Sequence, residues 1–345
     1  MATIGSTYVD LIDVHKQGGH AAEASVIEIL YRQNPILEDA VSVECNKGTI
    51  HRHQIRTGLP TASWGRLYKG TPQSKSDYQQ VDDTTGFLEA RSGVDTRLLK
   101  LNPGKENQIR LNEATGHLEG MNQSMAEAVF YEDTATNPDG FKGLAARFNV
   151  RGGGGAGNQV IHGGGSGSDN TSIWFVTWGA RATHFIYPQG TAAGLQREDK
   201  GEQRVTDGNG DAYYVQEELF TWHNGIATGD WRKNARIANI DVSEVIAGSV
   251  DLYGLMRSAY YRARMDAFRR MGGGESEVEP MRAAIYCNAT ILEALDALGS
   301  NAGASDNFIR LRPMEIEGKE VLTFRGIPLR VSDAILNTEA VVPTA

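Results

Sequence analysis

The sequence predicts a mixed α+β fold in which a folded body carries a long hairpin that projects from it. Apolar residues recur at helical spacing over 106–133 and 251–271, which predicts two long helices. Strand patterns lie between and after these helices, at 173–178, 184–187, 213–222, 231–240, 308–316, 320–324 and 327–331. The segment 46–80 is punctuated by glycine and proline and holds few apolar residues, so it cannot form a core of its own.

The composition bounds the class of protein. The chain has 345 residues, 40% hydrophobic and 22% charged, enough for one large domain or two smaller ones. The net charge of −9 argues against a protein that grips nucleic acid over its whole surface. Cys45 and Cys287 stand far apart without a CxxC pattern, which predicts reduced thiols, no zinc site and synthesis in a cytoplasm. Neither a signal peptide nor an apolar stretch of the roughly 20 residues needed to span a bilayer is found in the sequence.

Residues 1–45 are interpreted as an N-terminal arm. Apolar residues at helical spacing predict a short helix over 20–33, which Pro35 ends. A helix of this length is marginal on its own, so the arm needs another surface to lie on, from its own body or from a neighbour.

Residues 46–85 are predicted to form a long, twisted hairpin that is basic along most of its length. Over 46–80, six basic residues stand against Asp77, a net charge of +5: Lys47, Arg52, Arg56, Arg66, Lys69 and Lys75. The flanks have the opposite sign, since 1–45 and 106–133 each carry a net charge of −5. Identical copies would therefore attract one another head to tail, which fixes register and speeds encounter.

The candidate inter-subunit contacts are Arg52, Arg56, Arg66 and Lys69, with Trp64 as the anchor. A tryptophan in a segment with so few apolar residues would bind well in a groove of a neighbouring molecule. The alternative is that all these residues are solvated surface groups of a monomer.

The body is expected to begin near residue 86. Its helix 106–133 is stopped by the Asn-Pro-Asp-Gly run at 137–140, and the internal Gly116 and Gly120 predict close packing by another backbone. A flexible glycine-rich surface loop or two linked turns are expected over 151–170, and the Asp-Gly-Asn-Gly run at 207–210 predicts a hairpin turn.

A second α/β block is expected over 251–345. It starts with the helix 251–271 and continues with a buried strand over 283–287. A helix capped by Asn288 and closed by Gly299 follows, and the last strands complete the block.

Motifs that carry chemistry are weak throughout. The glycine run 152–157 lacks the lysine and the flanking strand and helix of a phosphate loop. His51 and His53 have no other ligand cluster to complete a metal site, which favours surface or interface histidines. Carboxylate pairs such as Glu113 with Glu119, or Asp207 with Asp211, are frequent by chance in an acidic chain. We therefore predict no catalytic, cofactor-binding or metal-binding residues and no enzyme activity.

Six sequence stretches, taken in order, resemble major capsid proteins of short-tailed bacteriophages of the epsilon-fifteen type, which have the Hong-Kong-97-like fold. They are Asn34-Pro-Ile-Leu-Glu-Asp39, Arg56-Thr-Gly-Leu-Pro60 with Trp64-Gly-Arg-Leu-Tyr-Lys69, Val81-Asp-Asp-Thr-Thr-Gly-Phe-Leu-Glu-Ala90, Leu118-Glu-Gly-Met-Asn122, Gly167-Ser-Asp-Asn-Thr-Ser-Ile-Trp174, and Asp230-Trp-Arg232 through Arg236-Ile-Ala-Asn-Ile-Asp241. The likeness extends over about residues 5–335, and it is the ordered series that makes it specific.

The resemblance implies four regions. These are an N-terminal arm at 1–45, an extended loop at 46–85 that lies on a neighbouring subunit, a peripheral domain with a long spine helix at 86–250, and an axial domain at 251–345. Little chain follows the axial-like block, which points to a reordered connectivity, with the peripheral strands near 205–240.

The resemblance also implies the function. Copies of the chain would assemble as hexamers and pentamers, through a procapsid, into the icosahedral shell that encloses double-stranded DNA in the virion. Assembly would take place in the host cytoplasm with scaffold and portal proteins and a cement or decoration protein. The acidic balance suits a wall that surrounds DNA without sequence-specific binding. No cofactor and no membrane are expected.

Two alternatives remain open from the sequence. One is an encapsulin-like nanocompartment shell of the same fold, whose content would be protein instead of DNA. The other is a soluble enzyme with a glycine-rich active-site loop, which would be a monomer or a small oligomer with a polar pocket.

Overall fold

A computed structural model describes residues 32–265, 281–301, 311–316 and 319–345, so the predicted helix over 20–33 lies almost wholly outside the described residues. The chain divides into two compact units. Within the described ranges, the first unit contains Arg32, 87–126 and 192–223, and the second contains 33–86, 127–191 and 224–345.

The helices are α1 (Ile36–Asp39), α2 (Thr96–Leu101), α3 (Glu106–Tyr131), α4 (Leu144–Arg147), α5 (Val242–Ile246), α6 (Leu252–Arg262) and α7 (Ala289–Asn301), with short 3₁₀ turns at Gly155–Gln159 and Trp231–Lys233. The strands are β1 (Ser42–Glu44), β2 (Ile50–Gly58), β3 (Asp77–Thr84), β4 (Gly86–Asp95), β5 (Val160–His162), β6 (Asn170–Trp178), β7 (Thr183–Tyr187), β8 (Gly194–Thr206), β9 (Ala212–Thr228), β10 (Ala235–Asp241), β11 (Arg282–Cys287), β12 (Arg312–Ile316), β13 (Lys319–Phe324) and β14 (Ile327–Val331).

The second unit is built around β6, whose nine residues are all buried because both faces of the sheet are covered. Strand β6 pairs antiparallel with β11 and with β10, while β14 extends the sheet parallel to β11. On one face the apolar sides of α6 and α7 pack against β6, β10 and β11, with Met256 and Leu295 fully buried. Burial of this apolar surface is the main force that holds the unit together.

The other face of the same sheet is aromatic. The ring of Phe130, near the end of α3, lies 6.1 Å from that of Trp174 and 6.4 Å from that of Tyr286. The Trp178 indole N–H donates to the Tyr286 hydroxyl at 2.8 Å, which satisfies a polar group that burial would otherwise penalise. Trp174 and Trp178 are therefore packing residues.

The first unit contains β4, α2, most of α3, and the hairpin of β8 with the first part of β9. Met121 of α3 packs with Phe220 of β9, and Ile109 packs with Leu98 of α2. The turn between β8 and β9 is the predicted one, since the Asp207 carboxylate accepts the backbone N–H groups of Asn209 and Asp211 at 2.9 Å.

Several predicted boundaries were wrong. Helix α6 ends at Arg262, inside the predicted range 251–271, because Arg264 adopts a left-handed conformation with φ +54°, while residues 266–271 of that range lie outside the described residues. The predicted strand over 231–240 begins at Ala235, after a 3₁₀ turn that Asp230 caps. The helix capped by Asn288 continues past Gly299 to Asn301.

One prediction about glycine was also wrong. The glycine-rich segment 151–170 is not loop throughout, because Val160 and Ile161 are buried in β5, which pairs parallel with β10. At Gly116 and Gly120, an added Cβ would meet no atom within 4 Å from the described residues outside the helix's own backbone, so the predicted close packing by another backbone is not found in that part of the chain.

After β14 the chain returns to the sheet of the second unit. The backbone N–H of Glu339 donates to the carbonyl of Asn170 at 2.9 Å, and that of Ala345 donates to the carbonyl of Arg151 at 2.9 Å. This last segment therefore supplies a buried carboxylate, Glu339, to the interior of the unit.

Candidate inter-subunit surface

The predicted hairpin is present as strands β2 and β3, which pair antiparallel in a two-stranded sheet of their own. The register runs from Ile50 opposite Thr84 to Gly58 opposite Asp77, with an irregularity next to Arg56. Residues 59–76 join the strands without forming a helix or strand of their own. An isolated two-stranded hairpin is marginally stable in water, so other contacts must fix this one.

The tip of the hairpin exposes large apolar side chains. Trp64 and Tyr68 are as accessible as in an extended chain, at 101% and 107%, while Leu67 and Leu59 are 86% and 77% exposed. Large aromatic residues carry much of the binding energy at protein interfaces when a partner buries them. A cluster of this kind on a projecting loop is typical of an interaction site.

A turn shapes this tip. The backbone N–H of Lys69 donates to the carbonyl of Arg66 at 3.2 Å, and Tyr68 has a left-handed φ of 60°. A bulky residue rarely adopts this conformation, so a constraint on the tip is indicated. In the sequence of this turn, Arg66 and Lys69 flank Leu67 and Tyr68. The side chains of Arg66 and Lys69 are both exposed.

The four predicted basic contacts fall into two groups. Arg52 is paired across the hairpin with Asp82, with Nε 2.6 Å from Oδ1, and this bond lowers the pKa of Asp82. The Arg56 guanidinium lies over the Tyr78 ring at 5.2 Å and donates to its hydroxyl at 2.9 Å, which lowers the pKa of that hydroxyl. These two arginines stabilise the hairpin itself, whereas Arg66 and Lys69 make no ion pair with the described residues.

The root of the hairpin is held by a buried ion pair. Arg147 of α4 donates through Nη2 to Oδ1 of Asp83 at 2.8 Å and to the carbonyl of Ile226 at 2.6 Å. The side chain of Asp83 is only 4% exposed, so removal of either partner would leave a buried charge. This pair fixes β3 to the body of its unit.

Three histidines surround that pair. His53 Nδ1 lies 3.7 Å from the Asp83 carboxylate, and the His51 ring meets the His184 ring edge-on at 5.1 Å. Burial lowers the pKa of His53, and burial together with His51 lowers the pKa of His184 to about 4. His51 and His53, predicted to be surface or interface histidines, are partly buried in the chain, because the antiparallel register places His51 opposite the buried Asp83.

The acidic flanks are only partly visible, because most of 1–45 lies outside the described residues. On α3, Glu106 and Glu127 are exposed, while Glu119 accepts a hydrogen bond from Gln123 at 2.7 Å. Arg110, the single base of that stretch, bonds Asp199 at 2.8 Å and also the buried Glu218. Its charge is therefore neutralised within the unit, which leaves the acidic side chains of the helix in excess.

Comparison with known proteins gives a consistent result. A family model described as major capsid protein GP7 matches residues 17–343. The solved structure of bacteriophage Epsilon15, derived from cryo-EM and modelling, matches the whole of this chain and the whole of its own chain with a TM-score of 0.74 and 30% sequence identity.

Weaker similarities extend to two other shells. The capsid of bacteriophage JBD30 matches with a TM-score of 0.47 and 10% identity, over 91% of this chain and 96% of its own. The SrpI encapsulin of Synechococcus elongatus matches with a TM-score of 0.45 and 12% identity, over 68% of this chain and 97% of its own. None of the curated protein sequences compared with this chain matches it.

Proposed function

The chain belongs to the GP7 family of major capsid proteins and forms the icosahedral shell of a phage virion, and on this premise we propose that its copies join as hexamers and pentamers through the tip of the β2–β3 hairpin. The shell would enclose double-stranded DNA. The observation that carries the docking role is the full exposure of Trp64 and Tyr68 between Leu59 and Lys69 on a projecting loop.

The tip supplies two components of a binding site. The exposed aromatic and leucine side chains offer apolar area, and burial in a neighbour gains about 25 cal/mol per Å². Arg66 and Lys69 beside them add charge that an acidic surface attracts, which sets orientation and encounter rate more than affinity. The exposed carboxylate of Glu106 on α3 belongs to a candidate acceptor surface on the neighbouring copy.

The anchored root supports the same role. The Arg147–Asp83 pair fixes β3 to the body of its unit, so the tip is carried by an anchored hairpin instead of a free loop. Each contact would be heterologous, one patch on one copy meeting a different patch on the next, and such contacts close into rings when the rotation between copies allows it.

The resemblance supports four proposed regions: an N-terminal arm at 1–45, the extended loop at 46–85, a peripheral domain with α3 as its spine at 86–250, and an axial domain around the symmetry axes at 251–345. The axial region shares a sheet with the region before it, because β11 pairs with β6. The chain is a structural protein, and we propose that it performs no catalysis and works with scaffold, portal and decoration proteins during assembly in the host cytoplasm. No described helix is both long and apolar enough to span a bilayer.

Charge reversal at the tip tests the docking role. The double variant Arg66→Glu with Lys69→Glu should fold normally but assemble slowly or not at all, because the tip would repel an acidic acceptor. The matched control reverses Lys47 and Lys75, which changes the charge of the hairpin equally at exposed positions outside the tip. Sizing of the products and circular dichroism of the unassembled chain would be compared, and normal particles from the tip variant would refute the proposal.

The content of the particle tests the proposal that the shell encloses double-stranded DNA. Particles purified from infected cells should contain double-stranded DNA, detected by nuclease-protected absorbance at 260 nm. Particles with protein cargo and no protected DNA would indicate a nanocompartment instead. A chain that stays monomeric at high concentration would contradict shell formation itself.

A further inference from the structure

An open cleft of about 730 Å³ in the second unit is lined by four arginines. They come from three separate parts of the chain: Arg151 after α4, Arg232 in a 3₁₀ turn, and Arg262 with Arg264 at the end of α6. Among the described residues that line the cleft there is no aspartate, no glutamate and no lysine. The chain as a whole has a net charge of −9, so this cluster of guanidinium groups is locally opposite in sign to the whole protein.

Within the part of the chain that the structure describes, most of that positive charge is not neutralised. Arg232 is bonded to Asp230, with Nε 2.9 Å from Oδ1. Among the described residues, Arg151 and Arg262 donate to backbone carbonyls alone, those of Val342 and of Asn158 and Val160. A carbonyl satisfies a donor without cancelling its charge, so the cleft keeps a net positive potential.

The imidazole of His162 is affected by the same positive charge. It lines the cleft, and partial burial together with the Arg151 guanidinium lowers the pKa of this imidazole. A bound anion would oppose that effect and raise the pKa again.

The backbone at Arg264 is held in an unfavourable conformation. It stands directly after Ala263, the residue that caps α6, and has φ +54°. Glycine is the preferred residue there because it adopts a left-handed conformation without steric cost. An exposed arginine at such a position costs stability in the fold, which indicates that its side chain has another use.

We propose that this cleft binds the phosphodiester backbone of the enclosed nucleic acid, without sequence specificity. The planar guanidinium fork matches the oxygens of a phosphate in two parallel hydrogen bonds. Arginine without lysine, together with the amides of Asn158 and Gln159, suits a nucleic acid backbone better than an acidic peptide.

The inference rests on the proposed function, since it takes DNA as the content of the shell. The binding measurement is therefore made on the unassembled full-length chain, where it does not depend on shell formation. Shell formation is scored separately by particle size, so either idea can fail alone.

The test is a titration of the chain into a fluorescein-labelled, mixed-sequence DNA duplex of about 20 base pairs, followed by anisotropy at several salt concentrations. Arg264→Gln should weaken binding about tenfold and lower the slope of log affinity against log salt by about 1. Arg257→Gln is the matched control, since Arg257 is exposed on α6 outside the cleft and its substitution should leave both values unchanged.

Arg264→Gly separates binding from folding. It should raise the melting temperature, because the left-handed conformation is relieved, and yet weaken oligonucleotide binding as much as Arg264→Gln does. Equal binding by the wild type and both Arg264 variants, or equal loss in Arg257→Gln, would overturn the proposal.

Competitors identify the source of the phosphate. Unlabelled oligonucleotide should displace the probe at far lower concentration than inorganic phosphate or polyglutamate. Displacement by polyglutamate at equal charge concentration would assign the cleft to an acidic protein segment and refute a nucleic-acid site. Equal potency of inorganic phosphate would reduce it to a site for free anions and refute the proposal as well.

Discussion

Removal of the Glu339 carboxylate should destabilise the second unit more than any substitution of an exposed acid. This side chain is 3% exposed and its Oε2 lies 2.9 Å from Nη2 of Arg236, which is 4% exposed. The Tyr131 hydroxyl donates to Oε1 at 2.6 Å, and the Ser172 hydroxyl donates to Oε2. Arg236 is held in turn by the carbonyl of Phe148 at 3.0 Å.

The magnitude follows from the charge that would be left behind. In Glu339→Ala the Arg236 guanidinium stays buried over the Trp174 ring at 4.7 Å but loses its counter-ion. Loss of one partner from a buried ion pair costs about 3–5 kcal/mol, because the remaining charge is desolvated without compensation. Domains are typically stable by about 5–15 kcal/mol, so the variant should be close to unfolding.

Urea unfolding of the unassembled chain, followed by tryptophan fluorescence, measures this free energy. Glu127→Ala is the control, because Glu127 is exposed in the same unit and should change stability by less than about 0.5 kcal/mol. The double variant Arg236→Met with Glu339→Ala should lose less free energy of unfolding than the two single variants lose together, since no unpaired charge remains buried. If Glu339→Ala costs no more than the control, the pair does not stabilise the fold and this reasoning is wrong.

Two further outcomes follow from the structure. Gly116→Ala in α3 should raise the free energy of unfolding by about 1 kcal/mol in urea, since an added Cβ would meet no atom within 4 Å from the described residues outside the helix's own backbone. By contrast, Gly143→Ala should lower the free energy of unfolding, because the added Cβ would lie 2.7 Å from the carbonyl oxygen of Ala128. A lower free energy of unfolding for Gly116→Ala would contradict the first of these predictions. His184 has its pKa lowered from 6.5 to about 4, so the folded chain binds fewer protons than the unfolded chain between these values. Stability should therefore fall by about 3 kcal/mol as the pH drops from 6.5 to 4, and His184→Phe should flatten that dependence in urea titrations at each pH.

Elements with strong local signals were predicted well from the sequence. Helix α3 was expected over 106–133 and is found at Glu106–Tyr131, because its apolar spacing and the Asn-Pro-Asp-Gly stop lie within one short window. The turn at Asp207 and the cap at Asn288, whose side-chain oxygen accepts the N–H of Ile291 at 3.0 Å, depend on equally local chemistry.

Boundaries failed where tertiary structure overrides a local pattern. The apolar stripe of α6 continues past Arg262, but the left-handed conformation at Arg264 ends the helix, and the amino-acid type there gives no sign of it. Within the glycine-rich segment, Val160–His162 forms the short strand β5 because β10 offers an edge to pair with, which periodicity along the sequence does not reveal.

The candidate inter-subunit surface was predicted in part. The hairpin and the exposed tip with Trp64, Arg66 and Lys69 follow from a stretch too poor in apolar residues to bury itself. The engagement of Arg52 with Asp82 and of Arg56 with Tyr78 follows from the register of β2 against β3. Spacing along one strand does not specify that register, so the sequence treated the four basic residues alike.

By itself the sequence determined the α+β class, the projecting basic hairpin and the resemblance to phage capsid proteins, because each is written in short windows of residue type and spacing. Only the tertiary structure decided which distant groups meet. Arg236 pairs with Glu339 across 103 residues, Arg147 with Asp83 across 64, and three separate segments bring four arginines into one cleft. Such contacts depend on the path of the whole chain, which packing of the buried sheet fixes and which no local pattern encodes.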